Sequence, residues 1–204
     1  MTKNEKLSAS AIAALVILLG GFEGVRHSPY RDPVGVLTVC YGHTGDDIEK
    51  GRKYTEAECV AMLKKDIVKH AAALRCVTKE LDFKQQIAFT SFAYNIGQSK
   101  FCGGNGYKMS TVVKKANAGD MMGACAAMSA WRNGCKNGVC TPLPGLVNRR
   151  AVERAICEGD FAAAAATIKR VGLPGVMVKA VDEIAEYEEQ HAVGGDCKCE
   201  GDVK

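Results

Sequence analysis

The stretch from Glu23 to Gly45, EGVRHSPYRDPVGVLTVCYGHTG, constrains the fold more than any other part of the chain. It holds a Glu, an Asp, a Thr and a His in one turn-rich segment, directly behind the most apolar run of the sequence. Pro29 and Pro33 fall around Asp32, so no continuous helix can join Glu23 to Asp32. The chain must leave a helix near Glu23 and fold back. The residues from Val34 to Tyr41 are rich in β-branched and aromatic types and end at Gly42, which predicts a strand or hairpin. A carboxyl at a helix end facing a second carboxyl on a hairpin is the arrangement that glycoside hydrolysis needs. One group protonates the leaving oxygen, and the other positions a water or attacks the sugar.

Glu23, Asp32 and Thr38 are separated by eight and five residues. With Phe22-Glu-Gly24, Tyr30-Arg-Asp32 and Tyr41-Gly-His-Thr44 around them, they resemble the catalytic motif of the T4-type phage lysozymes. Cys40 departs from the pattern, since many members carry Gly there, and suggests a bridged hairpin. The resemblance implies an α+β lysozyme-like fold, in which a small lobe with a β-hairpin is joined by a long helix to a larger helical lobe. It also implies cleavage of the β-1,4 bond between N-acetylmuramic acid and N-acetylglucosamine in peptidoglycan, with inversion. Glu23 would be the general acid, and its place at the end of an apolar helix leads us to expect an apolar niche around its carboxyl. Asp32 and Thr38 would hold the attacking water. His43 is expected to brace the hairpin, and no metal or cofactor is implied.

Before this motif lie sixteen uncharged residues, Leu7 to Phe22, behind Lys3 and Lys6. At ~1.5 Å per residue such a helix spans roughly 24 Å, short of the ~30 Å hydrocarbon core of a bilayer. Cleavage near Gly20 or Gly21 would strand Glu23 at the new terminus, so the segment is expected to be retained. It reads either as the buried first helix of a host-cytoplasmic enzyme awaiting a separate holin, or as a signal-anchor-release segment. The absence of a polar stripe over residues 9–22 and the ten cysteines of the chain favour the second. The enzyme would then sit in the host inner membrane before reaching the periplasm. A net charge of +4, from 27 basic and 23 acidic residues, is too mild to argue for nucleic acid as a partner.

Thr55 and Glu58 form a capping-box pattern, after which Val60, Leu63, Ile67, Ala71 and Leu74 recur at helical spacing. His70 lies on this helix without a ligand partner one turn on. Asp82 with Gln85 marks the next helix, which carries Ile87, Phe92 and Ile96 and stops at Gly97. Its Ser91-Phe-Ala-Tyr-Asn-Ile-Gly97 string also resembles the family, and the resemblance places Tyr94 and Asn95 near the sugar cleft. Ser110–Asp120 reads as a short helix closed by Gly119, and Asp120–Trp131 as a buried helix with Met121, Met122, Ala124, Cys125, Met128 and Trp131 inside. Cys135 and Cys140 bracket a turn that a local disulfide would close, while a zinc site there would need two further ligands that nothing locates. The helix after Pro144-Gly145 carries Arg149, Arg150 and Arg154, expected to pair on a solvated face. Analogy with cysteine-bearing family members suggests the pairs Cys40–Cys59 and Cys125–Cys157.

The family pattern fades near Asp160. Residues 161–204 read as an alanine-rich helix over 161–170, a Gly-Leu-Pro-Gly break, a charged helix over 176–191 and a polar tail containing Cys197 and Cys199. This divides the chain into an N-terminal hydrophobic helix (1–22), a catalytic domain (23–160) and an extension (161–204), together forming a monomer. No internal repeat, phosphate-binding loop, dinucleotide fingerprint or HExxH motif occurs. Two alternatives fit the same motif. A lytic transglycosylase would need Glu23 but not Asp32 and Thr38, and a non-catalytic glycan-binding scaffold would need none of the three.

Overall fold

Ser8 starts the first long helix by accepting the Ala11 amide, and α1 then runs over Ala9–Glu23. The computed structural model describes residues 3–32, 35–136 and 138–192. Every one of Ala11, Ala14, Leu15, Leu18 and Leu19 on α1 is buried, so this apolar helix is built into the core. Its N-terminal lead is pinned by Asn4, whose amide donates to the Val77 and Lys79 carbonyls and whose oxygen accepts from Leu81.

The chain leaves α1 through Gly24, whose φ of 66° reverses direction at a conformation that other residues rarely adopt. It enters a two-stranded antiparallel ribbon of β1 (Arg26–Arg31) and β2 (Leu37–Cys40), paired Arg26 to Cys40, Tyr30 to Thr38 and Arg31 to Leu37. Pro29 sits inside β1, which is tolerated because a ribbon of two strands is all edge and the register is irregular between Arg26 and Tyr30. Sequence periodicity marked only the second strand. The loop after the ribbon is less polar inside than its sequence suggests, since Ile48 and Tyr54 join Val39, Cys40 and Cys59 in a small core of their own.

Helix α2 (Glu56–Ala71) opens on a complete capping box of Thr55 and Glu58 and continues as a 3-10 turn over Ala72–Cys76. It links the two lobes through Cys59 in the small core and Leu63 and Ile67 in the large one. The large lobe holds α3 (Phe83–Ile96), α4 (Gln98–Cys102), α5 (Thr111–Asn117), α6 (Met121–Ala127), α7 (Pro144–Glu158), α8 (Phe161–Arg170) and α9 (Val176–His191), with a second hairpin of β3 (Asn133–Lys136) and β4 (Val139–Pro142). This is the α+β arrangement expected from the sequence. The run expected as one buried helix from Asp120 to Trp131 is instead α6 plus a 3-10 turn over Met128–Ala130, and Met122 is 61% exposed because it falls on the outer face. Among the described residues four disulfides join Cys40–Cys59, Cys76–Cys102, Cys125–Cys157 and Cys135–Cys140. The second pair was not anticipated; Cys197 and Cys199 lie outside the described residues.

Helices α8 and α9 contribute Ala164, Ile168, Met177, Ala180, Val181 and Ile184 to the large core. Helix α9 lies against α1, and Met177 approaches Gly21 so closely that a Cβ there would stand 2.2 Å from its Sδ. At its other end Tyr187 stacks on Phe83, with ring centroids 3.7 Å apart, and Glu188 pairs with Lys84 at 2.5 Å.

Candidate active site

Glu23 is the last residue of α1, and its side chain keeps 27% of its surface accessible. The apolar niche expected around it is absent on one side, where the Arg149 guanidinium of α7 pairs with its carboxylate. The helix C-terminus next to Glu23 is the negative end of the helix dipole, which adds to the need for a cation here. An open groove of about 420 Å³ runs past Glu23, lined also by Phe22, Asn95, Leu143, Leu146, Arg149 and Leu173.

Asp32 lies where β1 turns toward β2. Its amide donates to the Val36 carbonyl at 3.0 Å, its own carbonyl accepts from Gly35 at 2.9 Å, and its carboxylate accepts the Val36 amide at 2.8 Å. A charge-assisted bond to the backbone fixes the direction of a carboxylate on an otherwise short turn. Thr38, 4% exposed, donates its hydroxyl to the Val36 carbonyl at 3.1 Å. Asp32 and Thr38 therefore share one ribbon through Val36, and Glu23 precedes that ribbon across Gly24 and Val25. The ribbon residues are not among the walls of the groove that Glu23 lines.

The remaining candidates divide. Asn95 faces the groove. Tyr94 donates its hydroxyl to the Tyr41 carbonyl at 2.9 Å, joining α3 to the end of the ribbon, and packs on the His70 ring at 4.8 Å. Burial first, then the charges of Asp66 and Glu23, push the Tyr94 phenol well above its ordinary range, so it stays neutral. Burial likewise lowers the pKa of His70. His43 bridges Asp66 of α2 at 2.8 Å and Asp47 at 3.0 Å, and its backbone pairs with Val39. Burial works against a charged ring, but the bonds to Asp47 and Asp66 outweigh it and raise the His43 pKa above 6.5.

The solvated face expected for the paired arginines is a correction that the structure makes. Arg149 and Arg150 are 4% and 1% exposed, turned inward onto Glu153, which is 1% exposed. Only Arg154 pairs on the surface, with Glu158 at 2.7 Å. Burial opposes the charge of Arg149, yet the carboxylates of Glu153 and Glu23 raise its pKa, while Arg150 is lowered by burial. The signal available in the sequence was the spacing of Glu153, three and four residues after the two arginines, which puts all three on one helix face. Among the described residues no group of three His, Cys, Asp or Glu side chains is placed to hold a metal.

A family model described as phage lysozyme matches residues 20–153. The chain is 43% identical over 159 residues to a SAR-endolysin of Bacteriophage PS119, with 74% of this chain and 89% of the relative covered. It is 40% identical over 159 residues to the SAR-endolysin of Enterobacteria phage P21, covering 74% of this chain and 90% of that one. Among solved structures it is similar to the endolysin of the Escherichia coli O157:H7 phage FAHEc1, at a TM-score of 0.62 and 29% identity over 74% of this chain and 92% of that one. The muramidase domain of SpmX from Asticaccaulis excentricus superposes at a TM-score of 0.65, again with 29% identity, over 74% of this chain and 97% of that one. With a matched span that runs from the end of α1 through the ribbon to the buried arginines of α7, the chain belongs to the phage lysozyme family and is an endolysin-type glycoside hydrolase.

Proposed function

We propose that Glu23, Asp32 and Thr38 carry the hydrolysis of the β-1,4 bond between N-acetylmuramic acid and N-acetylglucosamine in peptidoglycan. The observation that carries this reading is the position of Glu23 at the rim of a groove, with only Gly24 and Val25 between it and the ribbon that holds Asp32 and Thr38. Glu23 gives its proton to the glycosidic oxygen as the C1–O bond breaks. A water adds to C1 from the opposite side and passes its proton to Asp32, giving the inverted anomer. Thr38 spends its hydrogen on the Val36 carbonyl, so its oxygen accepts from that water. Asn95 contacts the glycan in the groove. Tyr94 acts as the strut between α3 and the ribbon, and His43 as the tie between the ribbon and α2.

The same reading gives α1 two settings. Relatives at 40% and 43% identity are named SAR-endolysins, and α1 is apolar yet only 15 residues long. Among the described residues no helix is long and apolar enough to cross a membrane, which suits a segment that lipid holds only weakly. Export through α1 leaves the chain on the host inner membrane, and release into the periplasm lets α1 enter the core. While α1 is in lipid, Glu23 is away from Asp32 and the enzyme is silent.

The test is digestion of purified cell wall by the wild type, Glu23→Gln and Asp32→Asn, with mass spectrometry of the released muropeptides. Reducing-end products from the wild type are expected, with each variant reduced by about 10³-fold or more. Anhydro ends with Asp32→Asn still active would make the protein a transglycosylase. Binding without release by any of the three would leave a glycan-binding scaffold. The endolysin relatives and the complete Glu23, Asp32 and Thr38 set favour neither alternative.

A further inference from the structure

Glu153 is a buried carboxylate that no step of the proposed hydrolysis uses. Its side chain is 2% exposed, beside Arg149 at 5% and Arg150 at 1%. A charge so far from water persists only where partners replace its hydration. Oε1 of Glu153 accepts from Arg149 Nε at 2.9 Å, Ser91 Oγ at 2.6 Å and Arg150 Nη2 at 3.0 Å, and Oε2 lies 2.8 Å from the same Nη2. Arg149 has its other two nitrogens on the Ser91 carbonyl, at 3.2 Å, and on the Glu23 carboxylate. The Phe22 ring lies under its guanidinium at 4.9 Å. Every joint from Ser91 through Glu153 and Arg149 to Glu23 is therefore fixed.

We infer that Glu153 is a positioning residue for the acid: it orients the guanidinium that meets Glu23 and sets the charge that Glu23 faces. This rests on the reading of Glu23 as the general acid. Arg149 brings one positive charge to the groove and Arg150, buried behind it, a second within electrostatic reach of Glu23, and Glu153 cancels one. Nε and Nη1 of Arg150 have no hydrogen-bond partner, so the cation leans on Glu153 and on the Phe92 ring beneath it at 4.8 Å. From α3 the group that faces Glu23 is the neutral phenol of Tyr94, which Asp66 of α2 faces in turn. One net positive charge thus confronts Glu23 in the intact protein. Two would confront it if Glu153 were neutral, and added positive charge favours the ionised form of a carboxyl that faces it.

The experiment compares pH profiles of cell-wall hydrolysis for the wild type, Glu153→Gln, the pair Arg150→Gln with Glu153→Gln, and Glu23→Gln. Glu153→Gln keeps the shape of the side chain and removes its charge. It is expected to move the alkaline limb down by about one pH unit and to lower activity at neutral pH about tenfold. The pair removes one charge of each sign and is expected to return the limb toward its original position. A merely structural role would lower activity equally at every pH with the limb unmoved, and that result overturns the inference, as does an upward shift. If Glu153→Gln shows no cooperative thermal transition, recovery of folding and of the wild-type limb in the pair supports the charge count. A pair that is equally unfolded overturns it. Residual full activity in Glu23→Gln would instead sink the reading of the acid itself, whereas an inactive Glu23→Gln beside an unmoved limb sinks only the role of Glu153.

Discussion

Cys40 has φ of 59°, in the left-handed region that a Cβ disfavours by roughly 1–2 kcal/mol. This is the position where the family pattern commonly carries Gly, and the geometry supplies the reason: β2 must turn sharply here into Tyr41 and Gly42. The cysteine accepts the backbone cost and gains a disulfide to Cys59 at the start of α2, closing a separation of 19 residues. Opening a loop of this size costs about 2–4 kcal/mol. The two contributions separate in a pair of variants, both with Cys59→Ser. Cys40→Gly loses the bridge and relieves the backbone, while Cys40→Ala loses the bridge and keeps the strain. In urea unfolding under non-reducing conditions the Gly variant should be the more stable of the two by about 1 kcal/mol, and both should fall below wild type. An Ala variant as stable as the Gly variant would mean that the bridge alone holds the turn open in this conformation.

The ribbon as an element is tied to α2 and its lead by the Cys40–Cys59 bridge, by His27, whose carbonyl accepts from the Tyr54 amide and whose ring meets the Tyr54 carbonyl and Glu56, and by the clamp of His43 on Asp66 and Asp47. The clamp is a titrating link. Because the folded pKa of His43 is raised, its contribution is fully present below the unfolded value of about 6.5 and is lost as pH rises through the folded value. Thermal unfolding of wild type and His43→Ala should therefore differ more at pH 5.5 than at pH 8.5, by roughly 1 kcal/mol after allowance for solvent screening at the open side of Asp47. A difference that grows toward alkaline pH would show that His43 is held as the neutral ring. Elements of this kind were legible in the sequence where a local rule governs them: Thr55 with Glu58, Asp82 with Gln85 and Ser110 all cap helices, and Gly97 ends one. The proposed site rests on its spacing motif, Glu23, Asp32 and Thr38. The inward turn of Arg149 and Arg150 and the Cys76–Cys102 bridge were not legible, because each depends on which distant element packs against them; β1 was missed because Pro29 and its polar, charged residues mask the strand pattern.

For the whole molecule the decisive element is α1, which under the proposed function serves lipid and core with one sequence. In the folded protein it is gripped on several sides: Leu15, Leu18 and Leu19 enter the large core, Met177 of α9 lies over Gly21, and Tyr41 lies over Gly20, where a Cβ would stand 3.4 Å from the ring. Gly21 allows the close approach of Met177, and under the proposed function the two glycines, lacking side chains, also weaken the hold of a bilayer on the helix. On that reading both properties favour the same direction, out of the membrane and into the fold. A larger apolar residue reverses both at once. Gly21→Leu adds apolar area that lipid covers at about 25 cal/mol per Å² and places its Cβ against Met177, which overpacking penalises by roughly 1–3 kcal/mol. Expressed in a Gram-negative host, Gly21→Leu should stay with the membrane fraction while the wild type divides between membrane and periplasm, and lysis of the culture should be delayed. Met177→Ala opens the space that the new side chain needs, so adding it to Gly21→Leu should restore part of the activity in detergent extract without restoring release. Gly21→Leu found free in the periplasm with unchanged activity would show that α1 never depends on lipid, and that the helix belongs to the core alone.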